Sequence, residues 1–214
     1  MTAAATNAAL LIVVAAPSGA GKTSLVTALR KTQPSLSLSV SHTTRPMRSG
    51  EQDGSNYHFV SAEQFQELVS QGEFVEHAEV FGNFYGTSKT ALATALDAGQ
   101  DVILEIDWQG AEQVRAAFAG AVVSIFIMPP SLESLKLRLN QRGQDQPEVI
   151  STRLANAVAD MSHYEEFDYV IINDRFEVAA ADLAAVVSAE HLRRGRQQQR
   201  HGDLFASLTG KTPG

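Results

Sequence analysis

The chain has 214 residues, enough for one domain with a sizeable core and inserted lobes. A net charge of −7 and a pI near 5.3 speak against a surface built to coat nucleic acid or an anionic membrane. With no cysteine, disulfides, thiolate zinc sites and cysteine nucleophiles are excluded, and the 6 histidines show no ligand-like spacing.

Residues 1–9 are rich in Ala and Thr and lack a basic start. The apolar run Ala8–Ala16 is too short to cross a bilayer and leads straight into a glycine-rich loop, so it reads as a buried strand. No membrane association and a cytoplasmic location are expected. Further strand-like apolar runs are Asp101–Ile106, Val122–Met128 and Tyr169–Ile172, the first being Leu10–Ala15. Helical patterns lie between them: Leu25, Val26 and Leu29; then Ser131 as an N-cap before Leu132, Leu135 and Leu139; then Leu183, Val186 and Val187. Short continuous strands alternating with helices predict an α/β fold around a parallel sheet.

Two stretches break this rhythm. Residues 37–90 hold shorter strands, many turn residues and one helix, Glu63–Val69, capped by Ser61. Residues 140–160 open with Gly143 and Asp145-Gln146-Pro147 and carry few large apolar side chains. The expected organisation is a core of residues 1–36, 91–139 and 161–200, an insertion at 37–90, a helical lid at 140–160, and a C-terminal tail at 201–214 whose order is not legible.

The segment Ala16-Pro17-Ser18-Gly19-Ala20-Gly21-Lys22-Thr23 follows a strand and opens a helix, the context a phosphate-binding loop requires. Backbone N–H groups of such a turn point at phosphate oxygens, the lysine bridges the β- and γ-phosphates, and the threonine hydroxyl faces magnesium. The generic pattern has glycine where Ala16 stands, which is costly only if that position needs positive φ or very close approach.

Downstream, Arg45 and Arg48 flank Pro46 in an irregular loop with Ser41, Thr43, Thr44 and Tyr57 nearby. Guanidinium forks and hydroxyls suit a phosphate monoester; a solvated basic loop balanced by Glu51 and Asp53 is the alternative. Glu105 and Asp107 end a buried strand and, two apart, point the same way, as magnesium-holding acids or caps of the next helix. Arg138 and Arg142 share one helix face, and Arg153 lies beyond the Gly143–Pro147 turn. Arg193, Arg194, Arg196 and Arg200 sit where the last helix should end, where cations suit the dipole.

The loop at 16–23 together with Val40-Ser41-His42-Thr43-Thr44-Arg45-Pro46-Met47-Arg48-Ser49-Gly50-Glu51 closely resembles the bacterial guanylate kinases. So do Phe74-Val75-Glu76-His77-Ala78, Gly82-Asn83-Phe84-Tyr85-Gly86-Thr87, Glu105–Gly110 and Ile172-Asn173-Asp174, so that the likeness covers about residues 10–200. The resemblance implies a P-loop core, a mixed α+β GMP-binding insertion and a helical lid, and a magnesium-dependent transfer of the γ-phosphoryl of ATP to GMP, and to dGMP as an alternative acceptor. On it, Ala16–Thr23 hold ATP; Arg45, Arg48, Tyr57 and Tyr85 hold the GMP phosphate; and Ser41, Glu76, Thr87 and Glu105 read the base. Lys22, Arg45, Arg138, Arg142 and Arg153 compensate transition-state charge, while Thr23 and, through water, Asp107 serve Mg2+. Many relatives have Asp where Glu105 stands, which leaves its duty divided between base and metal.

Two other readings remain at this level. A related kinase could accept another phosphorylated small molecule, which Glu76 and Thr87 speak against. A guanylate-kinase-like interaction module could bind phosphopeptides, though such modules usually degrade the loop that Lys22 and Thr23 keep intact here. Oligomeric state is not legible.

Overall fold

The computed structural model describes residues 9–141 and 147–210. Arg142, Gly143, Asp145 and Gln146 therefore lie outside the described residues.

A parallel sheet of five strands forms the core in the order β2-β7-β1-β8-β9: Ser37–Leu38, Val102–Glu105, Leu11–Ala15, Val122–Met128 and Tyr169–Ile172. The expected strands are present in the expected places. Their continuous apolar character has a simple cause, since both faces are covered. Along β1, Ile12 and Val14 pack toward Leu25, Val26 and Leu29 of α1 (Lys22–Thr32) and Leu183 and Val187 of α7 (Phe176–Leu192). The alternate residues Leu11, Val13 and Ala15 pack toward Leu92 of α3 (Lys89–Asp97) and Ala111 and Val114 of α4 (Trp108–Ala117). Fully burying one such side chain is worth about 1.5–3 kcal/mol, so two opposed clusters fix the register of the central strands.

Ser37–Leu38 was expected to open the insertion, yet it extends the core sheet, because its backbone pairs with Val102 and Ile103 of β7. The insertion proper is a second sheet of four strands, β4-β3-β6-β5: His58–Phe59, His42–Thr43, Asn83–Ser88 and Phe74–Val80. Helix α2 (Ala62–Ser70) covers it. Ser61 and Gln64 close a reciprocal capping box at its start, and Phe65, fully buried, meets the rings of Phe74 and Phe84.

After β8, α5 (Leu132–Gln141) is capped by Ser131 through the backbone of Ser134 at 3.1 Å, and it buries Leu135 and Leu139. Helix α6 (Pro147–Met161) and a 3-10 turn, Ser162–Glu166, lead to β9. Beyond α7 the chain does not stop being helical: α8 runs from Arg194 to Thr209 and is kinked at His201, so the tail, whose order the sequence left open, is helical over 201–209. The arginines assigned to the end of the last helix instead begin a new one. Arg196 donates to the Ala9 carbonyl at 3.1 Å, and Asp101, which also accepts from the Leu10 amide, faces Arg200 at 3.8 Å and His191 at 3.1 Å. These contacts tie the first half of α8 to the chain just before β1 and β7. Among the described residues, no helix is long and apolar enough to cross a membrane.

Candidate functional site

The loops after β1, β2 and β7 open at the carboxyl end of the sheet, where strand order reverses around β1, and they form one wall of a cleft of about 270 Å3. The second sheet supplies the facing wall. Ala16, Pro17, Ser18, Gly19, Gly21, Lys22 and Thr23 line it from the core side, with Glu105 and Asp107; Ser41, Arg48, Tyr57, Glu76 and Tyr85 line it from the insertion. Arg153 of α6 reaches the same cleft.

The glycine-rich turn takes its shape from two left-handed residues, Gly19 at φ +89° and Gly21 at φ +94°. A side chain at Gly19 would press on Leu135 and Leu139 at about 3 Å, and one at Gly21 would collide with the amide of Asn173. Asn173, only 4% exposed, donates to the Ala20 carbonyl at 2.7 Å. Ala16 is not among the positive-φ residues, so alanine is tolerated where the generic motif has glycine. The turn, closed by the Ala20 amide donating to the Pro17 carbonyl at 3.1 Å, leads into the amino end of α1, a position that suits anionic oxygens.

Lys22 donates to the Ile106 carbonyl at 2.7 Å. Burial lowers its pKa, opposed by the surrounding carboxylates of Glu105, Asp107, Glu76 and Asp160. Thr23 donates to Glu105 Oε2 at 3.3 Å, while the other oxygen of Glu105 is buried without a protein partner. Asp107 caps α4 by accepting from the Gly110 amide at 2.8 Å, and its second oxygen accepts from Gln109 at 3.2 Å. Of the two roles expected for Asp107, the helix cap is present, and the same side chain also borders the cleft.

On the facing wall, Glu76 and Thr87 are cross-strand partners of β5 and β6. Thr87 donates to Glu76 Oε1 at 2.6 Å, and Glu76 is 2% exposed. Burial raises the Glu76 pKa from 4.5 to about 7, against the lowering effect of the Thr87 hydrogen bond. A Cβ on Gly110 would come within 2.6 Å of Glu76 Oε2, so the glycine at the start of α4 is what gives the carboxylate its room. Thr87 itself does not line the cleft; it acts on the cleft through Glu76.

Arg45 also stands behind the lining. It donates to Glu51 Oε1 at 2.7 Å and to the Pro46 carbonyl at 2.7 Å, and its guanidinium lies over the rings of Tyr57 and Phe59 at 5.4 and 5.8 Å. The Glu51 hydrogen bond raises its pKa. Glu51 accepts from the Arg48 amide as well, at 2.7 Å, so one carboxylate organises the turn that carries both arginines. Sequence reading gave Glu51 only a balancing charge. Thr43 and Thr44 were expected to complete the anion site and do not: their hydroxyls bond the Phe84 carbonyl and amide, holding β3 against β6. Tyr57 and Tyr85 meet edge to face at 6.0 Å.

Arg138 lies with the phosphate loop. It donates to the Asn173 carbonyl at 2.8 Å and to the Ala20 carbonyl at 3.4 Å. Arg142 lies outside the described residues. Asn173 and Asp160 were missed as site residues; the former braces the loop, and the latter lines the cleft and accepts from Trp108 at 3.1 Å. Asn173 lies in the segment Ile172-Asn173-Asp174 that carries part of the family likeness, whereas nothing in the sequence around Asp160 signals its place.

The chain is similar to known proteins over nearly its whole length. A family model described as guanylate kinase matches residues 8–190. The chain is 59% identical over 200 residues to the guanylate kinase of Alkalilimnicola ehrlichii, covering 94% of this chain and 98% of that protein. It is 54% identical over 200 residues to that of Escherichia coli, covering 92% and 96%. The crystal structure of guanylate kinase from Anaplasma phagocytophilum superposes with a TM-score of 0.74 at 38% identity, covering 93% of this chain and 94% of the other. With the family model spanning residues 8–190 and relatives this similar over nearly the whole length, the chain belongs to the guanylate kinase family.

Proposed function

We propose that this chain transfers the γ-phosphoryl group of ATP to GMP, reversibly, giving ADP and GDP. The buried Glu76–Thr87 pair, placed across the cleft from the phosphate loop, carries the reading. Guanine presents a ring N–H beside an exocyclic amine, two adjacent donors that one carboxylate accepts together. Adenine offers a ring acceptor and no amine there, which would leave the buried carboxylate facing a lone pair. Such an unpaired buried group is how a site rejects an analogue strongly. Ser41 borders the same wall and completes the base subsite.

Arg48, Tyr57 and Tyr85 receive the GMP phosphate, with Arg45 reinforcing from behind its ring neighbours. Ala16–Thr23 take the ATP phosphates on the loop amides and Lys22. The acceptor is already an anionic phosphate, so no strong general base is required; catalysis is positioning and charge compensation. Lys22 leaves the Ile106 carbonyl for the β- and γ-phosphates, while Arg138 from α5, and Arg142 and Arg153 from the segment 140–160, read as the lid, supply further positive charge. Exclusion of water by that segment protects ATP from hydrolysis. dGMP fits the same scheme, because none of the contacts invoked involves the 2′ hydroxyl. A cytoplasmic setting accords with the substrates.

Mg2+ supplies charge neutralisation of the ATP phosphates. The donor set fits it: Thr23 offers a hydroxyl, and Glu105 has one buried oxygen without a protein partner, suited to a water of the ion. This gives Glu105 a metal-side duty more readily than a base-side one, and leaves Asp107 to reach the hydration shell while capping α4. A coupled assay supplying ATP with GMP, AMP, UMP or CMP in turn tests the function. Turnover with GMP above all others is the expected result, and no transfer to GMP overturns it.

A further inference from the structure

Among the described residues, Phe81 is the one non-glycine with positive φ, +51°. With Gly82 (φ +75°) it makes the two-residue connection of the β5–β6 hairpin, after the last pair Val80 and Asn83. Two positive φ values match the tight hairpin turn whose first position ordinarily takes Asn, Asp or Gly. A bulky aromatic there is a conformational outlier, because its Cβ crowds the backbone. Core burial does not offset this, since Phe81 is 49% exposed. Neither turn preference nor hydrophobic packing accounts for phenylalanine at this position.

Its neighbour does. The guanidinium of Arg153, carried by α6, lies over the Phe81 ring with Cζ 5.6 Å from the centroid, and both residues line the main cleft. Phe81 also borders an adjoining cavity of about 240 Å3 shared with Trp108 and Asp160, so the ring stands between two spaces. We propose that Phe81 is a positioning residue whose ring, presented by the strained hairpin tip, orients Arg153 toward the transferring phosphoryl group. The inference rests on the phosphotransfer reading above. A cation over a ring face is held by the ring quadrupole, and because a flat guanidinium meets the ring through its face, the ring fixes the plane in which its N–H groups lie. The contact joins the insertion that receives the acceptor to the helix that carries the arginine. Strain kept at such a position indicates a role that the surrounding structure sustains.

Steady-state kinetics of the full chain with ATP and GMP test this. Phe81→Leu is expected to lower kcat about fivefold with KM for GMP changed less than twofold, and Phe81→Trp to retain kcat. Phe81→Gly relieves the positive-φ strain, so it should lose kcat as the leucine variant does while its Tm stays equal to the parent's or rises. On an Arg153→Met background, Phe81→Leu should add no further loss. Parental kcat in Phe81→Leu, losses that multiply in the double variant, or a Phe81→Gly variant losing Tm along with kcat would each overturn the proposal. A parent chain that transfers no phosphoryl to GMP would overturn the phosphotransfer reading itself, and with it this role.

Discussion

Asn173 occupies the space that a side chain on Gly21 would need, while its amide donates to the Ala20 carbonyl at 2.7 Å. The end of β9 thereby dictates the shape of a loop more than 150 positions earlier in the chain. Gly21→Ala meets both a positive φ and a collision, so ATP-dependent turnover should fall by roughly two orders of magnitude. Asn173→Ala leaves the buried Ala20 carbonyl with only the 3.4 Å contact from Arg138, and should lower stability by about 1–3 kcal/mol and raise KM for ATP. Denaturant titration and ATP saturation curves measure the two effects separately.

Glu76 should make GMP recognition depend on pH. Its pKa is raised by burial to about 7, and only the ionised form can accept both guanine donors. KM for GMP should therefore rise as pH falls from 8 to 6, while KM for ATP changes less. The stability effect has the opposite sense. Because the folded pKa lies above the ordinary 4.5, this group favours folding most below pH 4.5, and that contribution is lost as pH rises through about 7. Glu76→Gln, which keeps an acceptor for Thr87, should raise folding stability at pH 8 by on the order of 3 kcal/mol at most, read by denaturant titration, while weakening GMP and flattening its pH dependence. A variant with unchanged GMP affinity would remove Glu76 from base recognition.

Arg45→Ala should leave the fold intact and reduce turnover with GMP by about 100-fold or more, read from kcat/KM and a thermal melt. Glu51→Gln should produce a milder defect of the same kind, about tenfold in KM for GMP. It removes the charge that fixes Arg45 and accepts from the Arg48 amide, without deleting either guanidinium.

Asp107 can be separated into its two duties. Asp107→Asn keeps a side-chain acceptor for the Gly110 amide, so stability should change little while turnover at limiting Mg2+ falls. Asp107→Ala should lose about 1 kcal/mol of stability in addition. Chelation of Mg2+ should abolish turnover in the parent with no change in the circular dichroism spectrum.

Local signals carried much of this molecule. The core strands were readable because burial on both faces leaves an unbroken apolar run, as in Leu11–Ala15. Ser61 and Ser131 marked helix starts because capping is a contact within one turn. Ser37–Leu38 was not assigned to the core sheet, since two residues are too few for a period to show. The hydroxyls of Thr43 and Thr44 were misread because their partner, Phe84, lies some forty positions away.

By itself the sequence determined the α/β class, the phosphate loop, the arginine-bearing turn and the family likeness, each of which rests on residues within a few positions of one another. The tertiary structure alone decided that Glu76 is a desolvated carboxylate, that Gly110 makes its room, that Glu51 sets Arg45, and that Phe81 meets Arg153. Burial and the partner of a charge depend on chain segments brought together only by the fold, and those two quantities set the pKa, the reach and the specificity of a site.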